Sequence, residues 1–483
     1  MTLESIETVE ARDSRGAAQP SSALHAWDSF IAAVGGGVAS LSRSVGAGGG
    51  TSAPGLVIER LDPGFVRRRA QSLARTTTVV SGTNGKTTTA AMLATILDAR
   101  GTRVLTNASG ANLFRGVAAA LASAAGDEQA AVFEVDEAAL PRVVRASEPA
   151  VLVLTNVFRD QLDRFAEPEI VARLLRESAE ALPPGSIIVA NADDPLLWHA
   201  VEDLHPIGFG IQAATPTRTP TTTRREADPE ICPRCGAALR YLQRTFAHLG
   251  VIRCPACGWA SARPAFRVTV EDDGRLDRLR LSIDGVSREL MLGGQHNAYN
   301  AAAAIAVASS LGIAPSASID ALGSFVPRFG RSERLSFDER SFWVFLAKNP
   351  VSCVTATRQV ASDPRIRAAV VLINDRAADG RDVSWIWDAG LEELLGLDIP
   401  VFAGGERAHD IALRFRYAGG TVDAVDPDLD ALLTRVGAVT RPGDNVAVLA
   451  TYTAMLAFRR AVLGSRSAGV SDTVRDRTEP VLR

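Results

Sequence analysis

The chain has 483 residues, of which 46% are hydrophobic and 22% charged, and its formal net charge is −3. These values are ordinary for a globular protein of about three domains, and the balanced charge argues against a general affinity for nucleic acid. No apolar run reaches the roughly 20 residues that span a bilayer, and acidic residues interrupt any N-terminal signal core. We therefore expect a cytoplasmic protein that would meet a lipid substrate only at the membrane surface.

The N-terminal region precedes the main pattern of strands and helices. Residues 1–27 are polar and rich in small residues, which predicts a disordered extension. A short helix is expected at 27–34, followed by a loop at 35–55 whose glycine-rich end could wrap a ligand or serve as a linker. A basic amphipathic helix is expected at 60–75.

A phosphate-binding loop is predicted at residues 81–89, which read Ser-Gly-Thr-Asn-Gly-Lys-Thr-Thr-Thr. The loop follows an apolar strand and opens a helix, so backbone N–H groups and the helix N-terminus form an anion site. Lys86 would reach the β- and γ-phosphates, and the Thr87 hydroxyl would reach Mg²⁺. Because Val80 replaces the first glycine of the common motif, the loop is compact. The predicted nucleotide contacts are Gly82, Thr83, Asn84, Gly85, Lys86, Thr87 and Thr88; the alternative is a chance glycine-rich turn.

Short apolar strands then alternate with helical patterns. The expected strands are 77–81, 103–106, 131–135, 151–154 and 186–190. This alternation predicts an α/β fold with a parallel sheet covered on both faces. Ligands of such sheets bind at the carboxyl ends of the strands, where the phosphate-binding loop also lies.

Carboxylates that could hold magnesium follow the strand at 131–135. Glu134 and Asp136 share one face of the strand by the two-residue alternation, and Glu137 comes next. We predict that Glu134 and Thr87 bind Mg²⁺, which prefers oxygen ligands. The alternative is a solvated acidic loop.

Three further segments carry several polar residues. The stretch 155–164 follows another apolar strand and predicts the lip of a site or a surface cluster of salt bridges. An amide-rich turn at 293–300 opens an alanine-rich helix, so Asn297 and Asn300 could meet a base or phosphates as well as cap the helix. The run 327–334 is typical of a hinge with Arg331 aimed at a phosphate, or of a charged linker.

Four of the five cysteines predict a metal site. Their spacing is C-x₂-C-x₁₈-C-x₂-C, and a glycine follows each pair. Four thiolates at this spacing fit tetrahedral Zn²⁺ and leave no open position, so the ion would be structural. The predicted ligands are Cys232, Cys235, Cys254 and Cys257.

A third unit with an α/β pattern starts near residue 333. Its expected strands are 342–346, 368–373, 399–402 and 445–449. The segment 374–388 follows one of these strands and crowds four aspartates, two arginines and two tryptophans into fifteen residues. This composition favours a site or a partner surface over a plain loop.

The compact loop at 82–88, the 156–163 segment, the 296–300 turn and the Arg331 hinge resemble, in that order, the Mur ligase family. The resemblance covers roughly residues 35–335. It implies a Mur ligase-like central domain in which ATP phosphorylates a carboxylate, after which an amine displaces phosphate to give an amide. Such chemistry needs a lysine, Mg²⁺ and preorganised N–H groups around the phosphates.

Three departures narrow this resemblance. The Asp-His pair of most members is Asp160-Gln161 here, a four-cysteine zinc ribbon interrupts the central domain, and the C-terminal unit has its own motifs at 346–350, 379–388 and 451–455. The combination is similar to the synthetase subunits within the family that amidate lipid II. It implies ATP-dependent conversion of the D-glutamate α-carboxyl in the lipid II stem peptide to D-isoglutamine.

The resemblance also implies a partner. Ammonia would come from a GatD-like glutaminase subunit in a heterodimer, which agrees with the lack of a recognisable glutaminase nucleophile elbow in this sequence. An aspartate of the C-terminal domain would complete the partner's Cys-His pair. Asp382 is the first choice, with Asp379 and Asp388 as alternatives. The competing function is an amino-acid-adding Mur ligase or a folylpolyglutamate synthase-like ligase.

The implied domain order has four parts. A disordered extension (1–27) precedes the ATP-binding central domain (28–330), into which the zinc ribbon is inserted at about 226–264. The C-terminal α/β domain that contacts the glutaminase follows at 331–464, and residues 465–483 form a loose tail.

Overall fold

The computed structural model describes residues 22–44, 52–72, 76–107, 112–159, 167–214, 231–326 and 331–464. The chain divides into two compact units, Met1–Pro327 and Arg328–Arg483. The predicted tail at 465–483 and most of the predicted N-terminal extension lie outside the described residues. Among the helices that are described, none combines the length and apolar character needed to cross a membrane.

The first unit begins with three helices and continues with alternating strands and helices. Its elements are α1 (Ser22–Ser44), α2 (Ser52–Leu61), α3 (Phe65–Ser72), β1 (Thr76–Ser81), α4 (Lys86–Asp98), β2 (Val104–Thr106), α5 (Phe114–Ala122), β3 (Ala130–Glu134), α6 (Leu140–Ser147), β4 (Val151–Leu154), α7 (Pro168–Glu180), β5 (Ile187–Asn191), α8 (Pro195–Val201), β6 (Ile207–Ala213), β7 (Arg240–Phe246), β8 (Leu249–Arg253), β9 (Phe266–Glu271), β10 (Leu279–Ile283), β11 (Val286–Leu290), α9 (Gln295–Ser310) and α10 (Pro315–Leu322).

Nine of these strands form one sheet in the order β11-β10-β9-β6-β5-β4-β1-β3-β2. The strands from β2 to β9 in this order pair in parallel, whereas β9, β10 and β11 pair antiparallel. All four residues of β4 are fully buried, as expected for a strand covered on both faces. The predicted α/β fold with a parallel sheet is therefore confirmed, and the sheet brings the ends of β1, β3 and β4 together.

The N-terminal helices differ from the prediction. Residues 22–27 are helical, α1 continues through the predicted loop to Ser44, and α2 begins at Ser52. The predicted helix at 60–75 is broken between α2 and α3. Glycine disfavours helix on its own, but here it permits close packing: a Cβ atom on Gly35 would lie 2.8 Å from Ile58 Cδ1, and one on Gly55 would lie 1.9 Å from Arg115 O.

A separate two-stranded sheet, β7–β8, lies in the chain between β6 and β9. These two strands form an antiparallel hairpin in which Arg240 pairs with Arg253 and Phe246 with Leu249. The two cysteine pairs flank this hairpin in sequence. The predicted cysteine module is thus built around a hairpin.

The second unit contains a six-stranded sheet in the order β12-β13-β17-β14-β15-β16. Within this sheet, the β12–β13 pair is antiparallel and the other described pairs are parallel. The elements are β12 (Arg331–Phe337), β13 (Arg340–Leu346), α11 (Pro350–Ser362), β14 (Ile366–Leu372), β15 (Val401–Gly404), α12 (Ala408–Tyr417), β16 (Ala424–Asp426), α13 (Leu429–Val439), β17 (Asn445–Ala450) and α14 (Tyr452–Gly464). Two 3₁₀ helices, Ser384–Asp388 and Leu391–Gly396, follow β14.

Candidate active site

The phosphate-binding loop joins the end of β1 to α4, which begins at Lys86. Gly82 and Gly85 have φ values of 124° and 86°, a region that favours glycine. Space requires glycine as well: a Cβ atom on Gly82 would lie 2.4 Å from Thr155 Oγ1, and one on Gly85 would lie 2.1 Å from Asn300 Oδ1. The compact loop therefore closes directly against two neighbouring segments.

The segment after β4 holds the loop in place. Thr83 N donates to Asn156 O (2.9 Å), and Asn84 N donates to Asn156 Oδ1 (2.9 Å). In return Asn156 Nδ2 donates to Asn84 O (3.0 Å), and Thr155 Oγ1 donates to the same oxygen (2.8 Å). The described part of the predicted site lip thus braces the loop, whereas Asp160, Gln161 and Asp163 lie outside the described residues.

Lys86 is buried, with 7% of its surface exposed. Its Nζ donates to Gly82 O (2.6 Å) and forms an ion pair with Glu137 Oε2 (3.0 Å). Burial alone lowers the pKa of Lys86, but the carboxylates of Glu137, Asp136 and Glu134 outweigh burial and raise that pKa. The lysine is therefore charged and points back over the loop, as a phosphate-binding role requires.

The two predicted magnesium ligands lie side by side. Thr87 Oγ1 donates to Glu134 Oε2 at 2.5 Å. Asn107 fixes the backbone of Glu134, since Glu134 N donates to Asn107 Oδ1 (2.9 Å) and Asn107 Nδ2 donates to Glu134 O (2.7 Å). A hydroxyl and a carboxylate at this spacing suit Mg²⁺, which takes a few oxygen ligands from protein and the rest from water and phosphates. The donor set fits, and the magnesium assignment stays a prediction.

The amide-rich turn at the start of α9 packs against α4. Asn300 Nδ2 donates to Asn297 Oδ1 (3.1 Å), and Thr89 Oγ1 donates to Asn300 Oδ1 (3.3 Å). Asn297 Nδ2 also donates to Gly293 O (2.8 Å), and both asparagines are less than 5% exposed. These amides join two helices at the loop. The nucleotide contact of Asn297 stays a prediction, as does that of Arg331, which opens β12 opposite Phe345.

The four cysteines converge as the spacing predicts. Their Sγ atoms all lie within 4.8 Å of one another, with Cys232–Cys257 at 3.7 Å and Cys235–Cys254 at 3.5 Å. A tetrahedral Zn²⁺ with bonds of about 2.3 Å separates its sulfur ligands by about 3.8 Å. A backbone N–H of Cys257 aimed at the Cys254 sulfur lowers the pKa of Cys254 to about 6, whereas burial raises the pKa of Cys232. The residues fit a structural zinc ion.

The three candidate aspartates of the second unit have different surroundings. Asp379 is 4% exposed and accepts hydrogen bonds from Thr453 N (2.7 Å) and Thr453 Oγ1 (2.5 Å) at the start of α14. Asp382 is half-buried, and hydrogen bonds from the side chain and backbone of Ser384 lower its pKa. Asp388 is also half-buried. Asp379 therefore anchors the segment, and Asp382 and Asp388 keep part of their surface free.

Sequence reasoning missed two contacts at the loop. It named Glu137 as a carboxylate without pairing it with Lys86, and it left Asn300 out of the loop's supports. The parallel pairing of Val80 with Glu134 places the end of β3 beside the loop. A prediction of strand order would therefore have brought Glu137 to the lysine.

Known proteins with similar sequences match both units. The sequence model of the Mur ligase middle domain matches residues 80–227, and that of the MurT ligase C-terminal domain matches residues 346–455. The Streptococcus pneumoniae protein named lipid II isoglutaminyl synthase (glutamine-hydrolyzing) subunit MurT is 34% identical over 429 residues, which cover 87% of this chain and 93% of that protein.

Solved structures share the fold at lower identity. A pseudomurein peptide ligase type C from Methanothermus fervidus has a TM-score of 0.64 at 21% identity, covering 81% of this chain and 79% of its own. A MurF ligase from Thermotoga maritima, in complex with ADP, has a TM-score of 0.57 at 16% identity, covering 83% of each chain.

Proposed function

The chain belongs to the MurT family of Mur ligase-like proteins, and on that premise we propose that it amidates lipid II. The reaction converts the α-carboxyl of D-glutamate in the stem peptide to D-isoglutamine, with ATP as energy source and glutamine as nitrogen donor. One observation carries the proposal: 34% identity along 93% of a protein named as a subunit of that synthase. The braced phosphate-binding loop supports it.

The first step activates the carboxylate, which by itself is a poor electrophile. A carboxylate oxygen of the substrate attacks the γ-phosphorus of ATP, an acyl phosphate forms, and ADP leaves. Lys86 and the backbone N–H groups at the start of α4, from Gly85 to Thr88, stabilise the charge on the transferring phosphoryl group. Thr87 and Glu134 would hold Mg²⁺, which neutralises phosphate charge. The proximity of Thr87 and Glu134 supports this assignment.

The second step forms the amide. Ammonia attacks the acyl carbon, the tetrahedral intermediate loses inorganic phosphate, and a proton leaves the nitrogen. The name of the S. pneumoniae relative calls it a glutamine-hydrolyzing enzyme and a subunit, which supports a separate source of ammonia. A GatD-like glutaminase subunit in a heterodimer would supply it, and the reaction would take place at the inner face of the cytoplasmic membrane.

In this proposal Asp382 completes the partner's catalytic triad. Its carboxylate is held ionised by Ser384 and is half-buried, so it can orient a histidine of another chain. Asp379 is the weaker candidate because Thr453 occupies both of its oxygens. Asp388 remains the alternative. The domain assignment follows the same premise: residues 28–330 bind ATP, and residues 331–464 contact the glutaminase.

The test is reconstitution with the glutaminase partner. The purified pair receives lipid II, ATP, Mg²⁺ and glutamine, and the product is analysed by mass spectrometry for conversion of one carboxyl group to an amide. Ammonium salt with the chain alone is the matched nitrogen control. Unchanged lipid II together with glutamate-dependent phosphate release would contradict the proposal and favour an amino-acid-adding ligase.

A further inference from the structure

The hairpin β7–β8 links the metal site to the interior of the first unit. It fills most of the eighteen residues between the two cysteine pairs, and Cys254 follows β8 directly. The sulfur cluster therefore lies at one end of a two-stranded ladder, and the turn with Ala247 and His248 lies at the other. Any change in the metal site acts on the base of this ladder.

His248, in the turn of the hairpin, packs against the segment that follows β4. His248 is fully buried, and its ring packs edge-on against the Phe158 ring, with centroids 4.6 Å apart. His248 Nε2 lies 3.5 Å from Asp194 Oδ2. Neither ring nitrogen of His248 forms a hydrogen bond with the described residues. The ring therefore acts here mainly through its packing against Phe158.

Asp194 fixes the same segment from another side. Its Oδ1 accepts hydrogen bonds from Leu196 N and Leu197 N, both at 3.1 Å, and so caps α8. Its Oδ2 accepts from Val157 N at 2.8 Å. The histidine ring and the aspartate carboxylate thus hold residues 157 and 158 between them.

Phe158 in turn contacts the phosphate-binding loop. Phe158 N donates to Thr83 Oγ1 at 3.0 Å, and Thr83 Oγ1 donates to Phe158 O at 3.3 Å. Thr83 is 1% exposed, so this pair is sealed from water. Two contacts, His248 to Phe158 and Phe158 to Thr83, therefore connect the hairpin turn to the loop.

The metal end of the hairpin also contacts α8 and the residue that follows this helix. Trp259, just after the second cysteine pair, donates from Nε1 to Glu202 Oε2 at 3.1 Å. Its ring also packs edge-on against His199 of α8, with centroids 5.7 Å apart. Because Asp194 caps α8, the metal end and the turn end of the module both bear on the residues that hold Val157 and Phe158.

We propose that the cysteine module positions the nucleotide loop, with His248 as the positioning residue, so that metal loading sets the affinity for Mg-ATP. Because protein interiors are closely packed, they transmit small displacements. Residues that do not touch a ligand can therefore change the affinity for that ligand. When the base of the hairpin loses its metal, the His248 ring packs less firmly against Phe158, and Phe158 holds Thr83 less firmly in turn. The inference rests on the proposed ATP binding at this loop.

The experiment measures equilibrium binding of a fluorescent non-hydrolysable ATP analogue with Mg²⁺ to the full-length, zinc-loaded chain. His248→Ala is expected to weaken binding by roughly three- to tenfold, the range typical of residues that act through packing. Leu242→Ala is the matched control, since Leu242 is 60% exposed on the same hairpin. Zinc content and circular dichroism establish that each variant is loaded and folded.

A second arm removes zinc from the wild-type chain with a chelator and then restores it. We expect the nucleotide affinity to fall and to recover with the metal, even if His248→Ala fails to fold. A wild-type chain that binds no nucleotide overturns both this inference and the ATP-dependent function. A wild type that binds nucleotide with the same affinity as the metal-free protein overturns the positioning role alone and leaves the proposed function standing.

Discussion

Two strand ends, one in each unit, carry the candidate chemistry and differ in how their polar groups are satisfied. Both the loop after β1 and the segment after β14 follow a buried strand at the carboxyl edge of a largely parallel sheet, where α/β proteins bind ligands. In the first, Lys86 pairs with Glu137 and Thr83 with Phe158. In the second, only Asp379 of the three candidate aspartates is buried. The charged and polar groups of the first region are paired within its own unit, whereas Asp382 and Asp388 of the second keep part of their surface exposed.

The largest effect is expected at the phosphate-binding loop of the first unit. Lys86→Ala should lower ATP-dependent amidation by roughly 10³-fold, because the phosphoryl charge loses its preorganised cation. Phosphate release and lipid II amidation measure the loss. The exposed Arg100→Ala provides the control for a removed positive charge. Amidation by Lys86→Ala at the wild-type rate would remove this loop from the catalytic site.

The second region should separate the two nitrogen sources. Asp382→Asn is expected to lower glutamine-dependent amidation by roughly 10²-fold or more, as for other triad aspartates, because the partner's histidine loses its orienting carboxylate. Amidation with ammonium salt should stay unchanged. Asp388→Asn tests the alternative triad residue in the same assay. Equal loss of amidation by Asp382→Asn with both nitrogen sources would exclude Asp382 from the triad.

Removal of the metal tests how far the stability of the first unit depends on the inserted cysteine module. Cys254→Ser should lose zinc and lower the melting temperature by about 5 °C or more, since a structural metal contributes folding free energy. Metal analysis and thermal unfolding measure the two effects. Cys353→Ala is the control, because Cys353 is buried in the second unit. Retention of one zinc per chain by Cys254→Ser would contradict the four-cysteine site.

The smallest effect is expected at the hydrogen bonds between Asp379 and Thr453 in the second unit. Thr453→Val removes the hydroxyl that donates to Asp379 and leaves the backbone hydrogen bond, so the free energy of unfolding should fall by about 1 kcal/mol. Denaturant unfolding measures the change, and Thr434→Val on the exposed side of α13 is the control. An unchanged unfolding midpoint would mean that the hydrogen bonds of the Thr453 hydroxyl, to Asp379 and from Asn374, do not stabilise this unit.

The sequence predicted features that depend on residues close together along the chain. The glycine-rich motif predicted a loop between a strand and a helix, and the cysteine spacing predicted the sulfur cluster. It did not predict contacts between distant segments, such as Lys86 with Glu137 or His248 with Phe158, because these depend on strand order and on the path of the hairpin. The glycines of α1 were misread for the same reason, since helix packing outweighed their low helix propensity.

The cysteine module lies in the connection between the parallel strands β6 and β9. Neighbouring parallel strands need a crossover connection, and a helix usually provides it. Here the described residues between β6 and β9 form a hairpin with four thiols and no helix. Cysteine thiolates can be oxidised, whereas the backbone of a crossover helix offers no such group. We therefore expect oxidation of these thiols to disturb the connection between β6 and β9, although the two strands are also joined by their own backbone pairing.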